Sequence, residues 1–143
     1  MKQHRQPCKS CPFSRSVEPG ALGGSPVEMY IGQSVGPFLL PCHKTCDLDD
    51  PDWKKSFEHN SLQCAGAAIY RANIGVANLL PSGILRLPQD KDTVFASHAE
   101  FVAHHLQVRL YVAEAILRST TPAQLLRIEM SKPEVRFTDR TGL

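Results

Sequence analysis

Proline and glycine punctuate residues 14–41 too densely for a long helix: Pro19-Gly20, Gly23-Gly24, Pro26, Gly36-Pro37 and Pro41. An irregular stretch of about 30 residues is more than a compact domain carries without something to pin it. Cysteines bracket the stretch, with Cys8 and Cys11 before it and Cys42 just after it. One short helical turn is expected over residues 27–33. Phe38-Leu39-Leu40 is an apolar run, read as a strand or a buried rung that delivers Cys42. A metal joining Cys8 and Cys11 to Cys42 would be the missing staple.

In Pro7-Cys8-Lys9-Ser10-Cys11-Pro12-Phe13, two cysteines two residues apart let one turn of backbone aim both sulfurs at one point. Cys42 and Cys64 complete a four-thiolate set, and soft thiolates suit zinc or iron–sulfur iron. Zinc sites usually come as two knuckles, whereas Cys42 and Cys64 are dispersed and Cys11 is followed by Pro12. Those features favour an iron–sulfur cluster ([4Fe–4S]) as the expected cofactor, with zinc as the alternative. Of the five cysteines, Cys46 is the odd one out. His43 adjoins Cys42 and is read as a neighbour of the metal or a surface residue, because sequence neighbours rarely both reach one ion. A redox dithiol at Cys8 and Cys11 would need a thioredoxin-like strand before it, and the knuckle lies close to the start of the chain.

The chain has 143 residues, 42% of them hydrophobic, which fits a single folded domain. No apolar run of about 18 residues is present, and no apolar leader precedes the knuckle, so a cytoplasmic location without membrane spans is expected. Persistent disulfides are uncommon there, which again points the cysteines towards metal. A net charge of +2 is too mild to declare a nucleic-acid binder. Lys2, Arg5, Lys9 and Arg15 nonetheless make a basic arm that could touch phosphates.

Helix signals dominate the remainder. Asp50-Pro51-Asp52 opens a helix carrying Trp53 and Phe57. A second is expected from Asn60 or Ser61 through Leu62, Cys64, Ala67, Ala68 and Arg71, with Cys64 and Ala68 on one face, Gly66 and Ala67 permitting close approach, and Gly75 ending it. Turns are read at residues 79–83 and at Leu87-Pro88. Ser97 and Glu100 have capping-box spacing, and helical periodicity continues to Leu117 in one helix or two. Thr121-Pro122 starts a last helix, and residues 135–137 are a short strand or tail. The expected fold is mainly α: a single small domain over residues 1–143. Its irregular cysteine-rich half (7–75) is stapled by the metal onto a helical half (90–131). His98, His104 and His105 lack His-Glu-x-x-His order and are read as helix-surface or core residues. Neither a Gly-rich phosphate loop nor a Gly-x-Ser-x-Gly elbow occurs.

Cys8-x-x-Cys11-Pro12-Phe13-Ser14-Arg15, then Pro41-Cys42-His43-Lys44, then Cys64-Ala65-Gly66-Ala67, resembles a small phage and actinobacterial family. That family carries a Cys-x-x-Cys-Pro-Trp/Phe-Arg knuckle, a Cys-His pair and a Cys-Ala-Gly helix start. The resemblance covers residues 7–75 and departs at Ser14, where the family has Arg directly. It implies Cys8, Cys11, Cys42 and Cys64 as the metal site and a phage or prophage setting, but no reaction. The cysteine usage is also similar to WhiB-like iron–sulfur regulators, though the order differs and their Gly-Trp turn is missing. The function expected is a regulatory or host-interaction protein built on a cysteine-ligated metal and associated with nucleic acid through its basic arm. The alternative is a redox or hydrolytic enzyme, or an enzyme accessory, that uses the metal.

Overall fold

The structure, a computed structural model, describes residues 7, 10–38, 40, 64–80 and 86–132. The described chain is mainly α: five α-helices, α1 (Val27–Ser34), α2 (Ala65–Ile74), α3 (His98–Leu106), α4 (Leu110–Ser119) and α5 (Pro122–Ser131), with a 3₁₀ turn at Ala77–Leu79. No strand forms among these residues; Ser14 and Val94 make an isolated antiparallel bridge. The expected helix at Trp53 and Phe57, the turn at 81–83 and the 135–137 segment lie outside the described residues.

Local chemistry accounts for several helix ends. Ser97 Oγ accepts the Glu100 N–H at 3.1 Å and starts α3. The reciprocal half of the box is diverted, because the Glu100 carboxylate accepts from the Ala96 N–H at 2.7 Å instead. Gln107 at φ 54 ends α3, so the long periodic stretch is two helices. Thr121 and Gln124 form a full capping box under Pro122 at the head of α5. Gly75, at φ 83, returns its N–H to the last carbonyls of α2.

Two expectations need correction. The turn at 27–33 is a two-turn helix, and packing holds it: a Cβ at Gly32 would stand 2.7 Å from the Leu125 carbonyl oxygen of α5. Gln33 Nε2 donates to Glu129 Oε1 of α5 at 3.0 Å, while Lys132 pairs with the other carboxylate oxygen at 2.6 Å. Part of the stapling expected from metal is therefore done by helix packing. The second correction concerns Cys64, which is the N-cap of α2 and does not lie on its face. Its N–H donates to the Leu40 carbonyl at 2.8 Å, and its own carbonyl accepts from the Ala68 N–H at 3.0 Å.

The core is aromatic at its centre. Phe13 packs on Tyr70 at 4.8 Å and on Phe101 at 5.4 Å between ring centroids, with Tyr30 edge-on at 5.8 Å. Phe13 follows the knuckle, Tyr70 belongs to α2 and Phe101 to α3, so the two halves share one core. The 90–95 segment is tied on by Asn73, whose amide nitrogen donates to the Asp90, Val94 and Phe95 carbonyls. Among the described residues, no helix is long and apolar enough to cross a membrane.

Candidate metal centre

The start of α2 is made of small residues, Ala65-Gly66-Ala67-Ala68, all buried. Small side chains let another segment come against the helix, and what comes is the second half of the knuckle. A Cβ on Gly66 would fall inside the Cys11 sulfur, with Phe13 Cβ at 3.4 Å and Cys11 Cβ at 3.6 Å. The sulfurs of Cys11 and Cys64 stand 3.5 Å apart, 53 residues apart in sequence. Both are buried, Cys11 at 1% exposure and Cys64 at 6%.

Two thiolates on one tetrahedral ion, each at about 2.3 Å, lie roughly 3.8 Å apart. The observed separation is within a few tenths of an ångström of that. The backbone bond from Cys64 to Leu40 also anchors the chain two residues before Cys42 at this point. Cys8 and Cys42 themselves, with Cys46 and His43, lie outside the described residues, so of the expected four-cysteine set the structure places Cys11 and Cys64, and it brings them together. Among the described residues, no three or more His, Cys, Asp or Glu side chains converge.

The surroundings fix the knuckle in place. His105 bridges it from α3: Nδ1 accepts the Gly20 N–H at 3.0 Å and Nε2 donates to the Pro12 carbonyl at 2.7 Å. These two bonds define a neutral Nε2–H ring. Burial lowers its pKa, opposed by the Pro12 carbonyl and assisted by neighbouring His104. His104 Nε2 donates to the Val17 carbonyl at 2.5 Å. His98 is hydrogen-bonded to the Tyr70 hydroxyl, and burial pulls its pKa down to about 4. All three histidines thus hold the fold together. Tyr30 donates to the Leu22 carbonyl at 2.9 Å. Burial first, then the charges of Cys64 and Cys11, pushes its phenol up to about 12.

Two further residues decide the local architecture: Arg71, which sequence reading placed in α2 without a role, and Arg15, which it placed in the basic arm. Arg71, fully buried in α2, donates to the carbonyls of Ser34, Gln33, Gly36 and Phe38 at 3.0, 3.0, 3.2 and 2.8 Å. It gathers the irregular loop that leads to Cys42. The signal was an arginine inside an apolar, alanine-rich helix. Arg15, expected in the basic arm, is engaged elsewhere: its guanidinium forks onto both Glu100 oxygens at 3.0 Å and its Nε donates to the Lys91 carbonyl at 2.8 Å. Burial alone would raise the Glu100 carboxyl, but the Arg15 fork with the Ala96 and Ser97 amides outweighs it, holding the group below the ordinary carboxylate range.

An open cleft of about 400 Å³ lies beside Pro7, between Ile69 and the Leu87-Pro88 segment. Its carboxylate, Asp90, accepts the Asp92 and Thr93 N–H groups and so closes a turn. No protein-family model, curated protein or solved structure matches the chain.

Proposed function

We propose that this chain is a small metal-thiolate protein in which Cys8, Cys11, Cys42 and Cys64 hold one zinc ion. The observation that carries the reading is the 3.5 Å approach of the Cys11 and Cys64 sulfurs at the head of α2. That spacing suits two ligands of the same ion. In a four-iron cluster each cysteine binds its own iron, and the sulfurs stand farther apart, so the spacing favours zinc over the cluster. The metal fastens the knuckle and the Leu40 segment to α2, and its free energy of binding adds to that of folding. A closed four-thiolate site leaves no open coordination position, which supports a regulatory or interaction role over an enzymatic one. The proposed setting is cytoplasmic, phage or prophage. Nucleic-acid contact is proposed for Lys2, Arg5 and Lys9, while Arg15 already holds Glu100.

Anaerobic purification with elemental analysis and an absorbance spectrum tests the metal. A colourless protein with about one zinc per chain is expected. Iron and sulfide with brown colour would replace zinc by the cluster, and a protein holding neither would overturn the metal reading. Chelation should lower the melting temperature, and Cys64→Ser should lose metal and stability together. For the basic arm, a gel shift that weakens steeply with salt is expected; the absence of a shift removes that part.

A further inference from the structure

We infer that two copies of this chain dimerise by exchanging α4 and α5, with Gln107 as the hinge. The inference uses none of the cysteines and is independent of the proposed metal site. Gln107, at φ 54, is the only non-glycine residue in the left-handed region among the described residues. It begins the short link, Gln107 to Arg109, that separates α3 from α4. Helical periodicity runs straight through that link, and neither glycine nor proline stands between Ser97 and Thr121. With Gln107 returned to the helical region its backbone strain is released, and residues 98–119 become one helix.

The merged helix carries a seam. Ala99, Ala103, Leu106, Leu110, Ala113 and Leu117 follow at alternating steps of four and three, the a and d pattern of a coiled coil. In the single chain the outer parts of this seam already pack: Ala113 is buried, and Ala99, Ala103 and Leu117 lie against the core. Its middle is left open, with Leu106 and Leu110 at 44% and 49% exposure on either side of the hinge. The seam is also its own complement. Turned antiparallel about a two-fold axis at Val108, Ala99 faces Leu117, Ala103 faces Ala113 and Leu106 faces Leu110 of the second copy. The exchange keeps the contacts of the single chain, because α4 moves from its own α3 to the α3 of the other copy. α5 likewise needs a surface like the one it left. That surface is particular to this chain: Gly32 and Gly36 leave room for the Leu125 carbonyl and Leu126, and Gln33 bonds the buried Glu129 at 3.0 Å. A second copy presents the same notches. The dimer gains the burial of Leu106 and Leu110 and the helical hydrogen bonds that the link interrupts.

The test uses the full chain, kept reduced so that disulfides join no copies. It is concentrated, warmed towards its melting midpoint and cooled, because exchange requires α5 to leave α1. Size-exclusion chromatography with light scattering then reads the mass, and a dimer that separates slowly on dilution is expected. Gln107→Gly suits the left-handed link and should lower the association constant by about tenfold or more; Gln107→Val does not suit it and should raise the constant by a similar factor. Leu110→Glu changes a half-exposed position of the single chain but sets a charge against Leu106 of the second copy, so it should leave a folded monomer and no dimer. In a dimer mixed from isotope-labelled and unlabelled chains, filtered NMR contacts between Gly32 and Leu125 should run from one chain to the other. Wild-type and Gln107→Val chains that both stay monomeric overturn the inference. So does a dimer whose Gly32–Leu125 contacts remain within one chain, or one indifferent to Leu110→Glu. Metal content is a separate readout on the same samples. A metal-free chain that still exchanges loses the metal reading alone, and a zinc-bound chain that never dimerises loses the exchange alone.

Discussion

At Gly66 the residue type is set by a sulfur. Alanine in place of glycine normally strengthens a helix interior by about 1 kcal/mol. Here the added methyl would meet Cys11 Sγ, so Gly66→Ala should destabilise by about 1–3 kcal/mol and lower metal content, read by thermal melting and elemental analysis. A stabilised Gly66→Ala protein would mean that the knuckle does not sit against α2. Arg71 is decided by carbonyls in the same way. Two of its four acceptors, Gln33 and Ser34, are closing carbonyls of α1, and the other two, Gly36 and Phe38, lie on the loop that follows. Arg71→Met keeps bulk but strands buried oxygens, each costing on the order of 1–3 kcal/mol, so a loss of at least about 3 kcal/mol is expected in denaturant unfolding. Lysine cannot fork over several carbonyls at once, and Arg71→Lys should recover only part of that loss.

Helix ends were the most legible elements. Gly75, Ser97 and Thr121-Pro122 act through groups within four residues of themselves, so local chemistry suffices to read them. The start of α2 was misjudged because Leu62, Cys64 and Ala68 fit helical spacing equally well. The long-range bond from Cys64 N–H to the Leu40 carbonyl makes Cys64 the cap. Gln107 between α3 and α4 carries no sequence signature of a break, yet it occupies the left-handed region at φ 54. Side chains other than glycine pay strain there. Gln107→Gly should therefore raise stability by about 0.5–1 kcal/mol in thermal or denaturant unfolding, and a loss of stability would show that the Gln107 side chain contributes more than its backbone costs.

Across the whole molecule, a partly buried histidine couples folding to acidity. His98 has its pKa pulled down to about 4 by burial, against 6.5 when unfolded. Both states are neutral above that range, so its contribution is full at neutral pH. As pH falls from about 6.5 towards 4, the unfolded chain takes up a proton that the folded one refuses, costing about 3 kcal/mol by the lower end. Glu100 acts in the same direction further into acid, since its depressed carboxyl loses the Arg15 fork on protonation. His98→Asn preserves a polar partner for Tyr70 without titrating, and should flatten the loss of melting temperature between pH 6.5 and 4; an unchanged slope would remove His98 as its source. Residue order by itself determined the mainly helical class, the caps at Gly75, Ser97 and Thr121, and a cysteine framework bracketing a loop too irregular to stand alone, because these depend on spacing and on chemistry within a few residues. Only tertiary structure decided that Cys11 meets Cys64 across Gly66, that Arg71 gathers the loop, that Arg15 is tied to Glu100, and that three histidines clamp the core. Each of those depends on partners roughly 30 or more residues away, whose meeting is set by how small side chains, buried carbonyls and aromatic rings fill a shared interior.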